Sequence, residues 1–80
     1  MNTVELQAAF GKKVHEHIII ANLHMKEYYR TGNSDSYKAG MDRMSKAFED
    51  IEMAFTLKLL TIEEAINWQQ LVSYEVSKVC

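Results

Sequence analysis

The chain has 80 residues, a hydrophobic share of 48%, a charged share of 25% and a formal net charge of −2. These values describe a single globular domain and exclude an intrinsically disordered chain. Because Cys80 is the only cysteine, an internal disulfide is excluded, and the lack of a basic footprint argues against nucleic acid as the partner.

The N-terminal part of the chain also bears on where the protein resides. The longest apolar run, residues 18–21, is far shorter than the roughly 20 apolar residues that span a bilayer. The opening segment has an acid at Glu5 and no basic leader before an apolar stretch, so it does not resemble a secretory signal. We therefore expect no membrane association and a cytoplasmic, reducing environment.

Helix one is predicted over residues 3–30. Asn2 is a suitable N-cap residue, and Glu5 stands three residues later, which is the spacing of a capping box. Helical periodicity then defines one broad packing face. This face consists of Leu6, Phe10, Val14, His17, Ile18, Ala21, His24, Met25 and Tyr28.

A cluster of turn residues, "TGNSDS" at 31–36, predicts the first reversal of the chain. Helix two is predicted over residues 35–59. Its large apolar residues step by four and three, which is a heptad-like seam, and charges that alternate in sign occupy the opposite face. The seam comprises Tyr37, Met41, Met44, Phe48, Ile51, Phe55 and, seven residues further on, Ile62, and the charged face carries Lys38, Asp42, Lys46 and Asp50.

Helix three is predicted over residues 62–79, with Thr61 and Glu64 forming a capping box at its start. Its packing face would comprise Ile62, Ala65, Ile66, Gln69, Val72, Val76 and Val79. The segment between helices two and three contains no glycine or proline, so a single bent helix remains an alternative to two separate helices.

These elements predict an all-α fold, a three-helix antiparallel bundle that occupies residues 1–80 as one domain, with two long helices and a shorter C-terminal helix. A core of this size supplies little net stability, because the ordering of the chain offsets most of the free energy of burial. We therefore expect the core to be completed by homodimerisation.

The stretch "HEHIIIANLH" places three histidines, His15, His17 and His24, in helix one. His17 and His24 share the packing face but lie about 10.5 Å apart along the helix axis, too far for two imidazoles to bind one zinc ion. Glu27 follows His24 by three residues, the reverse of the Glu-x-x-His order of carboxylate-bridged metal sites. We predict no metal and no cofactor, and we interpret His17 and His24 as polar residues of the helix seam.

Enzymatic motifs are absent from the sequence, so we expect no catalytic activity. Helix two, the short turn and helix three have the order of a helix-turn-helix, but the first turn of helix three carries Glu63 and Glu64 at the end expected to meet DNA. A DNA-binding regulator remains an alternative, as does an assembly or secretion-type chaperone. A His/Glu metal-binding bundle is the least supported alternative.

Surplus apolar residues carry the functional hypothesis. Ile19 and Leu23 lie opposite the packing face of helix one, and such exposed pairs mark protein contacts. On helix three, Trp68 and Leu71 flank the packing face, where they could also complete the core. The predicted interface comprises Ile19, Leu23, Lys26, Trp68, Leu71 and Tyr74.

The sequence therefore predicts a small non-enzymatic protein-binding module that acts as a regulator, inhibitor or adaptor. The expected partners are a second copy of the chain, forming a homodimer, and an unidentified protein. Its small size is typical of proteins encoded by phages or mobile elements.

Overall fold

The structure is a computed structural model that describes residues 3–78, and these form three α-helices. They are α1 (Thr3–Thr31), α2 (Ser34–Thr56) and α3 (Ile62–Ser77). The prediction of an all-α three-helix bundle is confirmed. The predicted N-cap Asn2 and the packing residue Val79 lie outside the described residues, as does Cys80.

The reversal between α1 and α2 is shorter than the predicted turn over 31–36. Gly32 adopts a left-handed φ of 73°, and its amide donates to the Tyr28 carbonyl at 2.7 Å, which ends α1. Asn33 then caps α2, because its side-chain oxygen accepts a hydrogen bond from the Asp35 amide at 2.9 Å. The residues after Asn33 therefore belong to the first turn of α2.

Helix α2 ends at Thr56, so the prediction that it runs to residue 59 is wrong and the bent-helix alternative is excluded. The Leu59 amide donates to the Ala54 carbonyl at 2.9 Å and the Lys58 amide to the Phe55 carbonyl at 3.0 Å, the bonding pattern of a Schellman cap. Lys58 takes the left-handed position with φ 63°, where glycine is the usual residue. The chain thus turns sharply without the glycine that would have revealed the turn in the sequence.

The start of α3 agrees with the sequence pattern. Thr61 is the N-cap, and its hydroxyl oxygen accepts a hydrogen bond from the Glu64 amide at 3.1 Å. In return, the Glu64 carboxylate accepts from the Thr61 amide at 2.9 Å. The predicted capping box is therefore confirmed, and it fixes the point from which α3 runs back along the bundle.

The core lies between the three helices, and each supplies a large side chain with no exposed surface, namely Val14, Ile51 and Val72. Helices α1 and α2 approach closely at Gly40. A Cβ at this position would lie 2.9 Å from the Met25 sulfur and 3.3 Å from the Ala21 carbonyl oxygen, closer than side chains ordinarily allow. The absence of a side chain at Gly40 therefore sets how near α2 lies to α1.

The predicted packing face of α1 is confirmed in its central part, where Val14, His17, Ile18, Ala21 and Met25 are all buried. Its end residues Leu6, Phe10, His24 and Tyr28 are half-buried.

The predicted seam of α2 is confirmed in part: Ile51 is buried, and Met41, Met44 and Phe48 pack against the core. The buried face is nevertheless rotated, because Ala47 and Ala54 are buried whereas Tyr37 and Phe55 are 43% and 42% exposed. Small residues permit the close approach to α1, and the larger seam residues consequently lie toward the edge that faces α3 and solvent.

The packing face of α3 is rotated as well. Ala65, Val72 and Val76 are buried, but Ile62 and Ile66 remain 56% and 44% exposed. Trp68, predicted to flank the face, packs against the core instead. Its large ring fills the space between α1 and α3, which turns the isoleucine flank of α3 outward.

Helices α1 and α3 run in the same direction, because the chain reverses twice between them. The Gln7 side-chain amide donates to the Leu59 carbonyl at 3.1 Å, so the first turns of α1 lie beside the turn that precedes α3. Within residues 3–78, none of the helices has the length and apolar character required to traverse a bilayer.

Candidate protein-binding surface

The outward side of α1 carries two large apolar side chains one helical turn apart. Ile19 is 59% exposed and Leu23 is 60% exposed. Both are flanked on the same side by charged residues that are also exposed, Glu16 and Lys26. Two neighbouring branched apolar side chains that are exposed among charged residues are a candidate site for a protein contact.

The position of Ile19 relative to α3 follows from its neighbour one turn earlier. The ring of His15 meets Trp68 edge-on, with centroids 5.7 Å apart and planes at 71°. Ile19 follows His15 by four residues and therefore continues the same side of α1 by one turn. Leu71 follows Trp68 by three residues on α3, which runs parallel, so Ile19 and Leu71 border the same surface.

Trp68 anchors this surface to the bundle. Its ring packs edge-on against Phe10 at a centroid distance of 5.3 Å, and it lies against Gly11, where a Cβ would meet the ring at 3.4 Å. The half-buried ring also lines a shallow depression of about 260 Å³ together with Glu64, Asn67 and Leu71. Trp68 thus belongs to the intramolecular packing and presents one side outward.

We name the predicted interface set the α1–α3 surface. Leu71 is half-buried within it, and Tyr74 is 60% exposed on the far side of α3 with the Lys78 ammonium 5.1 Å from its ring centroid. Lys26 is exposed at the end of α1 that lies away from Trp68. The members of the surface are Ile19, Leu23, Lys26, Trp68, Leu71 and Tyr74.

The buried histidine is held by a network that the sequence pattern did not predict. His17 is 7% exposed; its Nε2 lies 2.9 Å from an Asp50 oxygen and its Nδ1 lies 3.2 Å from an Arg43 nitrogen. Arginine can only donate, so Nδ1 is the acceptor and Nε2–H donates to the Asp50 carboxylate. Both ring nitrogens of His17 therefore have a hydrogen-bond partner in this arrangement.

The prediction that Asp50 lies on the outward charged face of α2 is wrong. Its carboxylate turns toward α1, where it also lies 3.9 Å from the Lys13 ammonium. Arg43 and Asp50 stand seven residues apart on α2 and therefore share one edge of that helix, with His17 between them. The feature of the sequence that could have indicated this network is the seven-residue spacing of Arg43 and Asp50, together with a histidine on the packing face of α1.

His24 is half-buried and does not approach His17 in a way that forms a metal centre. Among the described residues, no group of three or more histidine, cysteine or acidic side chains could hold a metal ion. The two ring nitrogens of His17 already contact Arg43 and Asp50. These contacts make the buried histidine a link between α1 and α2.

A second apolar region, at the end of the bundle near Gly32, was not predicted. The Tyr28 ring lies 5.2 Å from the Tyr29 ring and 5.1 Å from the Tyr37 ring, measured between centroids. Tyr29 and Tyr37 also line a groove of about 280 Å³ that all three helices border. The feature of the sequence that could have indicated this region is the presence of tyrosines on both sides of the turn between α1 and α2.

Comparison of the chain with models of known protein families, with curated proteins and with solved structures found no significant match.

Proposed function

We propose that the chain is a non-enzymatic protein-binding module in which another protein chain packs on the α1–α3 surface. The observation that carries the proposal is the exposure of Ile19 and Leu23, at 59% and 60%, on the outward side of α1. By covering a surface of its partner, the module acts as a regulator, inhibitor or adaptor.

The neighbourhood of the exposed pair supports this proposal. Binding sites combine apolar anchors with a charged rim, and here the pair is flanked on α1 by the exposed charged residues Glu16 and Lys26. Trp68 holds the two helices together beneath the surface through its contact with Phe10. A partner would therefore meet a surface that is already ordered, which lowers the entropic cost of association.

The shape of the chain also favours an interaction role. The radius of gyration is 13.5 Å, whereas a compact chain of this length has a value of about 11.6 Å. The extents of 44 × 22 × 16 Å describe an elongated particle with long helical sides. Such a particle offers extended helix faces for docking.

The proposal predicts that a protein retained from an extract of the source cells depends on the exposed pair. The immobilised wild-type chain should retain a partner protein. The double variant Ile19→Asp/Leu23→Asp should retain at least tenfold less of that protein, because two carboxylates would have to be desolvated at the contact. The matched control is Met53→Asp/Leu57→Asp, since these side chains are 59% and 62% exposed but lie outside the α1–α3 surface. The readout is the amount of each bound protein, measured by quantitative mass spectrometry.

Equal retention by the wild type and by the Ile19→Asp/Leu23→Asp variant would contradict a binding role for this surface. Circular dichroism of all three proteins guards against a folding artefact. Substitution at sites this exposed should leave the helical signal unchanged.

A further inference from the structure

The outward side of α1 carries the apolar pair Ile19 and Leu23 with charged residues before and after it at heptad spacing, and among the described residues all six positions are exposed. These positions, the α1 seam, step by four, three, four, three and four residues. This spacing is the pattern by which one helix packs along another, and the seam runs for about 27 Å along α1. Its members are Lys12, Glu16, Ile19, Leu23, Lys26 and Arg30.

The order of the charges in this seam specifies its occupant. Glu16 precedes Ile19 by three residues, and Lys26 follows Leu23 by three residues, so the seam is symmetric about the level of residue 21 with opposite charges on its two sides. An antiparallel second copy would place Ile19 against Leu23 and Glu16 against Lys26, twice over. A parallel copy would instead place like charges opposite each other.

We propose that a second copy of the chain covers the α1 seam in antiparallel orientation, about a two-fold axis at the level of residue 21. The inference rests on the proposed function, because it names the chain that packs on the α1–α3 surface. The interface is isologous, so each favourable contact occurs twice.

The ends of the seam bring Lys12 opposite Arg30 of the second copy, which is a pair of like charges. Arg30 is neutralised within its own helix, because its guanidinium lies 2.6 Å from the Glu27 carboxylate. Both basic side chains are exposed and lie at the margin of the contact, where solvent and salt screen their repulsion. The central pairs therefore decide the orientation of the two copies.

Charge reversal at the two central positions tests the orientation. Glu16→Lys places lysine at both position 16 and position 26, and Lys26→Glu places glutamate at both. At low salt, the dimer of each single variant should therefore have a dissociation constant at least roughly tenfold higher than that of the wild type. The double variant Glu16→Lys/Lys26→Glu restores opposite charges in the antiparallel arrangement and should regain the wild-type dissociation constant. An equimolar mixture of the two single variants should form a mixed dimer.

Sedimentation equilibrium at low ionic strength, with a reducing agent to prevent crosslinks through Cys80, measures all four proteins and the mixture. A wild-type chain that remains monomeric at high micromolar concentration would overturn the dimer. A double variant that associates no better than the single variants would overturn the antiparallel orientation. Neither result would contradict the proposed function. That function is tested separately and is contradicted if the Ile19→Asp/Leu23→Asp variant retains partner proteins as well as the wild type does.

Discussion

Replacing Ile51 by alanine is expected to lower the free energy of unfolding by about 2–5 kcal/mol. Ile51 is among the largest side chains with no exposed surface, and it lies in the C-terminal half of α2 within the core. The truncation removes buried methyl groups and leaves a cavity that the neighbouring helices fill only in part. A chain of 80 residues has a total stability of roughly 4–12 kcal/mol, so the loss is a large share of it.

Urea denaturation followed by circular dichroism measures this effect. The matched control is Met53→Ala on the same helix, because Met53 is 59% exposed and its truncation should change stability by no more than about 0.5 kcal/mol. Equal effects of the two substitutions would show that the core does not centre on Ile51.

Removing the Asp50 carboxylate is the second substitution with a large expected effect. Asp50→Ala leaves the Nε2–H of buried His17 without its partner at 2.9 Å, and an unsatisfied buried donor costs about 1–3 kcal/mol. His17→Leu removes the donor itself and fills the site with an apolar side chain, so it should cost less than Asp50→Ala. The two substitutions therefore separate a polar link from simple packing.

A double-mutant cycle isolates the link between α1 and α2. In the His17→Leu background, Asp50→Ala should cost less than about 0.5 kcal/mol, since no donor remains to be left unpaired. The measurement is again the free energy of unfolding from urea denaturation. If Asp50→Ala costs the same in both backgrounds, His17 and Asp50 are not coupled.

Local signals in the sequence were sufficient for the number and type of the helices. The capping box at Thr61 depends only on residues within one turn, and it was predicted correctly. The end of α2 was not, because Lys58 adopts a left-handed conformation that glycine normally signals. The next residue, Leu59, packs against the core, and no local sequence pattern contains such a tertiary contact.

Faces were predicted less well than elements, because a face depends on which neighbours a helix has. Periodicity treated Tyr37 and Phe55 as seam residues, but the buried residues of α2 include Gly40, Ala47 and Ala54. Large apolar residues dominate a periodicity argument, whereas small residues permit the shortest distance between helices.

For the candidate surface, too, some features could be predicted from the sequence and others could not. The outward position of Ile19 and Leu23 followed from the angular position of each residue on α1, and both side chains are exposed. The place of Trp68 depended on how α1 and α3 cross, and its ring lies against Phe10. The hydrogen bond between His17 and Asp50 likewise depends on the register of α1 against α2, since the two residues lie 33 positions apart in sequence.

The central claim is that a second copy of the chain packs on the exposed pair of α1, and the solution mass tests this homodimer most directly. Light scattering after size exclusion, under reducing conditions, should give the wild type twice the chain mass of 9.3 kDa. The folded variant Ile19→Asp/Leu23→Asp should give the mass of a single chain, and the control Met53→Asp/Leu57→Asp should remain a dimer. A wild type with the mass of one chain at high micromolar concentration, or a double variant that stays dimeric, would contradict the claim.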